Sequence, residues 1–319
     1  MGVSSNDIFG DESSAPLPAT PGTYGAAPRG YRLPAATRLG RVRLQVADLR
    51  RSIAFYTKTL GLRVLRNKEA RALLGAHGDN TPLVELHERT GAHPVPRSGR
   101  TGLYHFAILM PDRPAFGRLL RHLEASGVRA GAADHLVSEA LYLHDPDNLG
   151  IEIYVDRPRE SWRRVGAELM MATDPLDTPG LLRAAGDEPW SGMPAGTVIG
   201  HLHLHVGDIA RAATFYADTL GFDRIVWHYP GALFLSAGGY HHHLGTNTWA
   251  GDDATPPAAD AAQLLEWTIE LPDQASLEAV EESLLRAGQA AERAESTDRH
   301  SAFVTRDPWG TPIRFSAPR

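Results

Sequence analysis

The sequence predicts an α+β protein built from four βαβββ modules, two in each half. Three observations carry that expectation. Residues 39–64 (LGRVRLQVADLRRSIAFYTKTLGLRV) align without a gap with residues 199–224 (IGHLHLHVGDIARAATFYADTLGFDR) at an offset of 160. Gly40/Gly200, Leu44/Leu204, Val46/Val206, Asp48/Asp208, Arg51/Arg211, Phe55/Phe215 and Tyr56/Tyr216 are identical, as are the Thr-Leu-Gly endings. The chain is therefore an internal duplication. Within each half the unit recurs in diverged form, at 103–155 and 264–316, each time with an Asp-Pro turn before the last strand (Asp145-Pro146, Asp307-Pro308).

Each unit opens on a strand of alternating apolar residues. Asp48 and Asp208 then stand where a helix N-cap belongs, and Gly61 and Gly221 where a helix stops. Between them Leu49, Ile53, Tyr56 and Leu60 recur at helical spacing, as do Ile209, Ala213, Tyr216 and Leu220. Three strands are expected next, at 62–68, 70–76 and 82–88 in the first unit and at 222–228, 232–237 and 240–248 in the third. The second and fourth units place their helices at 113–126 and 274–287. Domain bounds follow at 38–156 and 198–319, two modules each. Residues 1–37, with five prolines and few large apolar groups, are expected to be a disordered tail. Residues 157–197 read as a linker with one short helix at 179–185, and 250–262 as a second spacer inside the latter half.

Composition narrows the partners. At 319 residues the chain has room for about two domains of ~150 residues. A net charge of −6 without a basic stripe argues against nucleic acid and against an anionic membrane surface. No apolar run is long enough to span a bilayer, and the polar start lacks a signal pattern, so a cytoplasmic protein is expected, as monomer or homo-oligomer. With no cysteine, thiolate ligands, disulfides and a Cys nucleophile are excluded. The strand over 200–206 carries the chemistry instead. Alternation turns Leu202, Leu204 and Val206 inward and gathers His201, His203 and His205 on the other face, a pattern suited to a metal or to a wet polar surface.

Several strings, TGLYHFAIL (101–109), DHLVSEALYLHDPDNLGIEIYVDRP (134–158), IGHLHLHVGDI (199–209) and GGYHHHLGTNTWAG (238–251), resemble the vicinal oxygen chelate superfamily of glyoxalases, extradiol dioxygenases and bleomycin-resistance proteins. The likeness is greatest to its catechol 2,3-dioxygenase branch, although Leu149 departs from the glycine usual after the Asp-Pro-Asp turn. The resemblance implies that two modules combine into one cup and that metal ligands come from the first and fourth strands of each. Carried onto this chain, those positions are Arg41 and Glu85, His105 and Glu152, His201 and the 241–243 run, and Glu266 and Arg314. Modules two and three would thus supply a metal site from His105, Glu152, His201 and a fourth residue. Modules one and four would hold a salt-bridged copy without a cation. Counting back from Leu244, taken to face the helices, alternation turns His241 and His243 into the cup and His242 away, with His243 the fourth ligand or an acid–base group and His241 in reserve.

Two histidines and one carboxylate are the facial triad of non-haem Fe(II) oxygenases. The implied reaction is extradiol cleavage of a catechol-like aromatic diol, with Fe(II), or Mn(II), as cofactor and dioxygen as co-substrate. His243 or His241 would move protons, and His203 and Tyr154 would line the pocket beside the ligands. His135 is a further pocket candidate. Two other functions fit the same fold: a glyoxalase-type metal-dependent lyase or isomerase, and a non-catalytic module that binds a small molecule or drug. The remaining histidines, His87 and His144 among them, are assigned no role.

Overall fold

The structure is a computed structural model that describes Ile8, residues 15–294 and residues 300–319. A short strand β1 (Leu17–Pro18) precedes module one, which runs β2 (Arg38–Val46), α1 (Leu49–Lys58), β3 (Arg63–Lys68), β4 (Arg71–Gly75) and β5 (Val84–Glu88). Module two is β6 (Gly102–Leu109), α2 (Arg113–Ala125), β7 (Gly131–Asp134), β8 (Ser138–His144) and β9 (Gly150–Asp156). Between the halves lie β10 (Arg163–Val165), β11 (Glu168–Leu169) and α3 (Thr178–Ala184). Module three is β12 (Val198–His205), α4 (Ile209–Ala212) continuing as a π-helical turn (Ala213–Thr219), β13 (Asp223–Val226), β14 (Ala232–Ser236) and β15 (Leu244–Asn247). Module four is β16 (Gln263–Glu270), α5 (Gln274–Arg286), β17 (Glu292–Arg293), β18 (His300–Arg306) and β19 (Pro312–Pro318).

The duplicated helices begin and end as their residues require. Asp48 Oδ1 accepts the Arg51 amide at 2.8 Å and Asp208 Oδ1 the Arg211 amide at 2.6 Å, satisfying N–H groups that have no partner within the helix. Gly61 and Gly221 leave at φ of +76° and +96°, the left-handed region open to glycine.

The modules pair across the halves. One eight-stranded sheet, ordered β13-β14-β15-β12-β6-β9-β8-β7, joins modules three and two; the other, β17-β18-β19-β16-β2-β5-β4-β3, joins modules four and one. The two central strands of each sheet, β12 with β6 and β16 with β2, run antiparallel. A buried core runs without interruption from Val42 and Leu44 through Phe106, Ile108, Leu202 and Leu204 to Trp267 and Phe315. Modules of one half are stitched by a repeated polar contact: Tyr56 donates to Asp145 at 3.2 Å, and Tyr216 donates to Asp307 at 2.7 Å.

Two expectations need correction. Residues 15–37 are not a loose tail: Ala19, Tyr24 and Leu33 are buried, Arg32 forms a double hydrogen bond to Asp223 at 2.7 Å, and the Leu33 amide donates to Gly221 at 2.8 Å. Few apolar residues suffice when each enters an existing crevice. Residues 1–7 and 9–14 lie outside the described residues. The connection 157–197 is likewise more than a spacer. β10 pairs with β1 and β11 in a small sheet, and Trp162, Leu169 and Met171 form a second core with Tyr24, Tyr229 and Phe234 against the central sheet. The helix expected at 179–185 is present as α3.

Candidate metal centre

Strand register assembles the site. On the cup face, His201 lies opposite Ala107, and Ala107 lies beside Glu152, so a row crosses three adjacent strands with a methyl group in its middle. His105, two residues before Ala107 on β6, faces the same way and pairs with His203. The small Ala107 side chain leaves space for three donor atoms to converge. His105, Glu152 and His201 offer ligand atoms within 4.8 Å of one another, and all three residues are buried. The Nε2 atoms of both histidines lie 3.0 Å from the same oxygen, Glu152 Oε2.

The charge state suits a cation. Burial pushes the Glu152 carboxyl up, but His201 and His105 outweigh it and hold Glu152 well below its ordinary range. Burial holds His105 and His201 below the usual imidazole value despite the pull of Glu152. Two neutral imidazoles and one carboxylate are the donor set of a divalent ion. His105 Nε2 and His201 Nδ1 are buried without a hydrogen-bond partner. An orphaned imidazole nitrogen aimed at a carboxylate is costly unless something else occupies the space between them. The residues fit a divalent metal.

The other expected site residues are distributed around this cluster. His203 packs edge-on to His105 with centroids 5.1 Å apart, and its Nε2 accepts the Asn247 amide at 2.9 Å. Its ring lies over Gly245, where a Cβ would meet it at 2.9 Å. Tyr154 stacks obliquely on His201 at 4.8 Å and shares a 2.6 Å hydrogen bond with the Tyr240 hydroxyl. His241 Nε2 lies 2.8 Å from Asp156 Oδ1. An ionised carboxylate only accepts, so Nε2 carries the proton and His241 Nδ1 accepts from His242 Nδ1 at 2.7 Å.

His243 is not in the cluster. Its Nδ1 accepts from the Ala237 amide at 3.2 Å and pairs with the Ser236 hydroxyl at 3.0 Å. The residue dismissed by alternation, His242, is the one whose ring lies 4.0 Å from His201. The parity argument fails because residues 240–243 precede β15 and follow a turn through Gly238 and Gly239, at φ of +63° and +66°. Sequence reasoning also passed over Tyr142, Tyr240 and Tyr104. Tyr142 pairs with Glu152 in register and joins His135, whose other nitrogen donates to the Ala172 carbonyl. The strict pairing of β8 with β9 is the signal that could have found Tyr142.

In the outer sheet the expected charged copy is formed. Arg41 meets Glu85 at 3.0 Å and Arg314 meets Glu266 at 2.9 Å, joined by Arg43 at 3.3 Å from Glu266 and by His87 at 2.6 Å from Glu85. Burial raises Glu85, but His87, Arg41 and Arg43 bring it below its usual value. Glu266→Gln is expected to lower stability by roughly 1–3 kcal/mol, because Arg43 and Arg314 keep their charge in a half-buried place without the compensating carboxylate. Metal content should be unaltered; thermal unfolding with elemental analysis checks both.

The cup also sets a pH dependence. Burial depresses His105, His201, His203, His205, His242 and His243, the last to about 3. An unfolded histidine takes up its proton near pH 6.5 while the folded one does not, so stability falls as pH drops below about 6.5, by up to ~1.4 kcal/mol per pH unit for each such group. Asp145, raised by burial to about 6, works in the opposite sense between about pH 4 and 6, as does Asp307, also raised by burial. With His144 also depressed and Glu270 also raised by burial, the depressed imidazoles still outnumber the raised carboxyls. The melting temperature is expected to fall between pH 7 and 5 even in chelator-treated protein, since most of these imidazoles are not ligands; a flat profile contradicts the account.

The paired modules and the His-Glu-His centre define the class. The chain belongs to the glyoxalase/bleomycin resistance protein/dioxygenase superfamily, whose model matches residues 38–153 and 198–315. It is 46% identical over 275 residues to the catechol-2,3-dioxygenase of Bacillus subtilis (strain 168), a match covering 85% of this chain and 94% of that relative. Among solved structures it is similar to a protein of Bacillus subtilis subsp. subtilis str. 168, at TM-score 0.60 and 15% identity over 90% of this chain and 86% of that one. It also resembles glyoxalase I from Zea mays, at TM-score 0.54 and 20% identity over 88% and 92%. At those identities the structural likeness speaks for the fold alone. No helix among the described residues is long and apolar enough to cross a membrane.

Proposed function

We propose that the protein is an extradiol dioxygenase that opens the ring of a catechol-like aromatic diol, using a divalent metal, Fe(II) or alternatively Mn(II), held by His105, Glu152 and His201. The observation that carries this reading is the buried 2-His-1-carboxylate cluster in a chain 46% identical to a catechol-2,3-dioxygenase. When bound, iron supplies the electronic route between a chelating diolate and dioxygen.

The chain's own groups do the rest. Two neutral imidazoles offset none of the metal's charge and one carboxylate offsets a single unit, so the centre favours an anionic diol. Trp162, Tyr240 and Phe234 exclude water from the side of the cup beneath the connecting segment. The proton lost by the diol has a path through hydrogen bonds already in place. His242 Nδ1 donates to His241, His241 Nε2 donates to Asp156, and Asp156, whose side chain is 30% exposed, opens to solvent. Tyr240 donates to the same carboxylate at 3.1 Å and accepts from Tyr154, which fixes Asp156 as the collecting point. His203 and His243 have their accepting nitrogens engaged by Asn247 and by Ala237, so they position the walls and take no proton.

The test is metal content together with oxygen consumption on a panel of catechols. Iron or manganese near one per chain, with O₂ uptake that depends on the diol, supports the reading. Nickel or zinc with turnover of a glutathione hemithioacetal and no O₂ uptake would replace it with the lyase. Tight small-molecule binding without turnover would replace it with the binding module. The lyase needs a second carboxylate as base, and among the described residues none joins the cluster.

A further inference from the structure

A second concavity lies at the seam of the two sheets, a cavity of about 680 Å³ lined from both. In a protein of net charge −6 its lining holds three arginines, Arg97, Arg100 and Arg306, and no aspartate or glutamate. Two of the guanidinium groups are fixed by neutral acceptors: Arg100 donates to Thr255 Oγ1 at 2.6 Å, and Arg306 donates to the Gly310 carbonyl at 3.0 Å. Among the described residues no carboxylate forms an ion pair with any of the three. The cavity is open to solvent on one side, with Arg97 and Arg306 exposed at its rim and Arg100 half-buried, and an anion placed among the three offsets their mutual repulsion. Aromatic and apolar walls from Tyr104, Trp309 and Leu103 give the same space affinity for a flat ring.

The cavity adjoins the metal cluster through Tyr104. That ring lines the cavity and packs at 4.9 Å from His105, 5.2 Å from His203 and 4.7 Å from His205. His144, also in the lining, is depressed by burial and then by Arg97. We propose that the cavity is a binding chamber for anionic aromatic molecules and that Tyr104 is the partition between it and the metal centre. Resting on the ring-cleavage reading, the chamber selects diols whose ring carries a carboxylate or a similar acidic substituent. A guanidinium holds such a group through paired, charge-assisted hydrogen bonds.

The chamber can be tested apart from the metal. 2-Naphthalenesulfonate is a weak metal ligand and carries no diol; 2-naphthalenesulfonamide is its uncharged counterpart. By calorimetry on the full-length protein the sulfonate is expected to bind at least tenfold tighter, and its affinity to fall with added salt. In Arg97→Gln/Arg306→Gln that preference should vanish, whereas Arg286→Gln, an exposed side chain of α5 beside Glu282, should keep it. Equal binding of the two probes, or a preference that survives the double substitution, overturns the chamber. Oxygen uptake supplies the second arm, with kcat/KM at least tenfold higher for a carboxylated catechol than for catechol itself and the ratio collapsing in the double variant. Equal kcat/KM values overturn the selectivity. A sulfonate preference with no oxygen uptake on any diol leaves the chamber standing and removes the ring-cleavage reading instead.

Discussion

Glu152→Gln should yield a folded protein that retains no metal and consumes no oxygen. The amide preserves the volume of the side chain between Ile151 and Ile153, both buried, so packing is not disturbed. What is removed is the negative charge of the carboxylate whose Oε2 lies 3.0 Å from the Nε2 atoms of both His105 and His201. Loss of a neighbouring group that merely supports a ligand commonly costs 10–100-fold in affinity, and loss of a ligand itself should cost more than about 100-fold. Stability provides an independent readout. A metal present at about 100 times its dissociation constant stabilises the native state by ~2.7 kcal/mol, so added Fe(II) should raise the melting temperature of the parent protein and leave the variant unmoved. Full metal content in the variant would show that the ion, if present, sits elsewhere.

The second large effect is expected from a residue with no functional group. Gly150 opens β9 where it runs beside β6, and a Cβ there would stand 1.9 Å from the Tyr104 carbonyl oxygen and 3.2 Å from the His105 Cβ. The nearest obstacle is backbone, so no rotamer change relieves it. Overpacking in a tight core costs about 1–3 kcal/mol even when side chains can yield, and here two paired strands must separate. Gly150→Ala is therefore expected to lose several kcal/mol of stability, on the order of the upper part of that range or beyond it. Whatever folds should hold metal poorly, since His105 and Glu152 lie on the two strands driven apart. Gly131→Ala is the control: in β7 the added methyl meets Tyr142 Cβ at an ordinary 3.5 Å, and a change within about 0.5 kcal/mol is expected. Comparable melting temperatures for the two variants would refute the steric account.

What the sequence disclosed follows from what repeats. The offset between Asp48 and Asp208 locates both helix starts, and the four first-strand positions separate His105 and His201 from Arg41 and Glu266. That separation is the reason the pairing of modules two with three was legible: only that pairing unites Glu152 with two imidazoles. Three things escaped. His243 bonds to Ser236 and Ala237 while the His242 ring lies 4.0 Å from His201, because a glycine turn interrupts the strand and period-two counting does not cross a turn. Tyr240 and Asp156 are 84 residues apart and meet only through tertiary packing. Segment 15–37 looks unstructured by composition because its stability comes from crevices other segments provide, which composition does not encode.

The crossed pairing of modules has a consequence for dissection of the molecule. His105 and Glu152 lie before the connection and His201 after it, so a fragment ending near Gly186 would own two of the three donors and one module of each sheet. Neither piece has its intended neighbour: each would expose the edge of a first strand that the other piece normally covers. Separately purified pieces should be inert and prone to self-association, and mixing them should restore metal uptake. The gene's ancient doubling has thus become obligatory, with each copy now the missing component of the other.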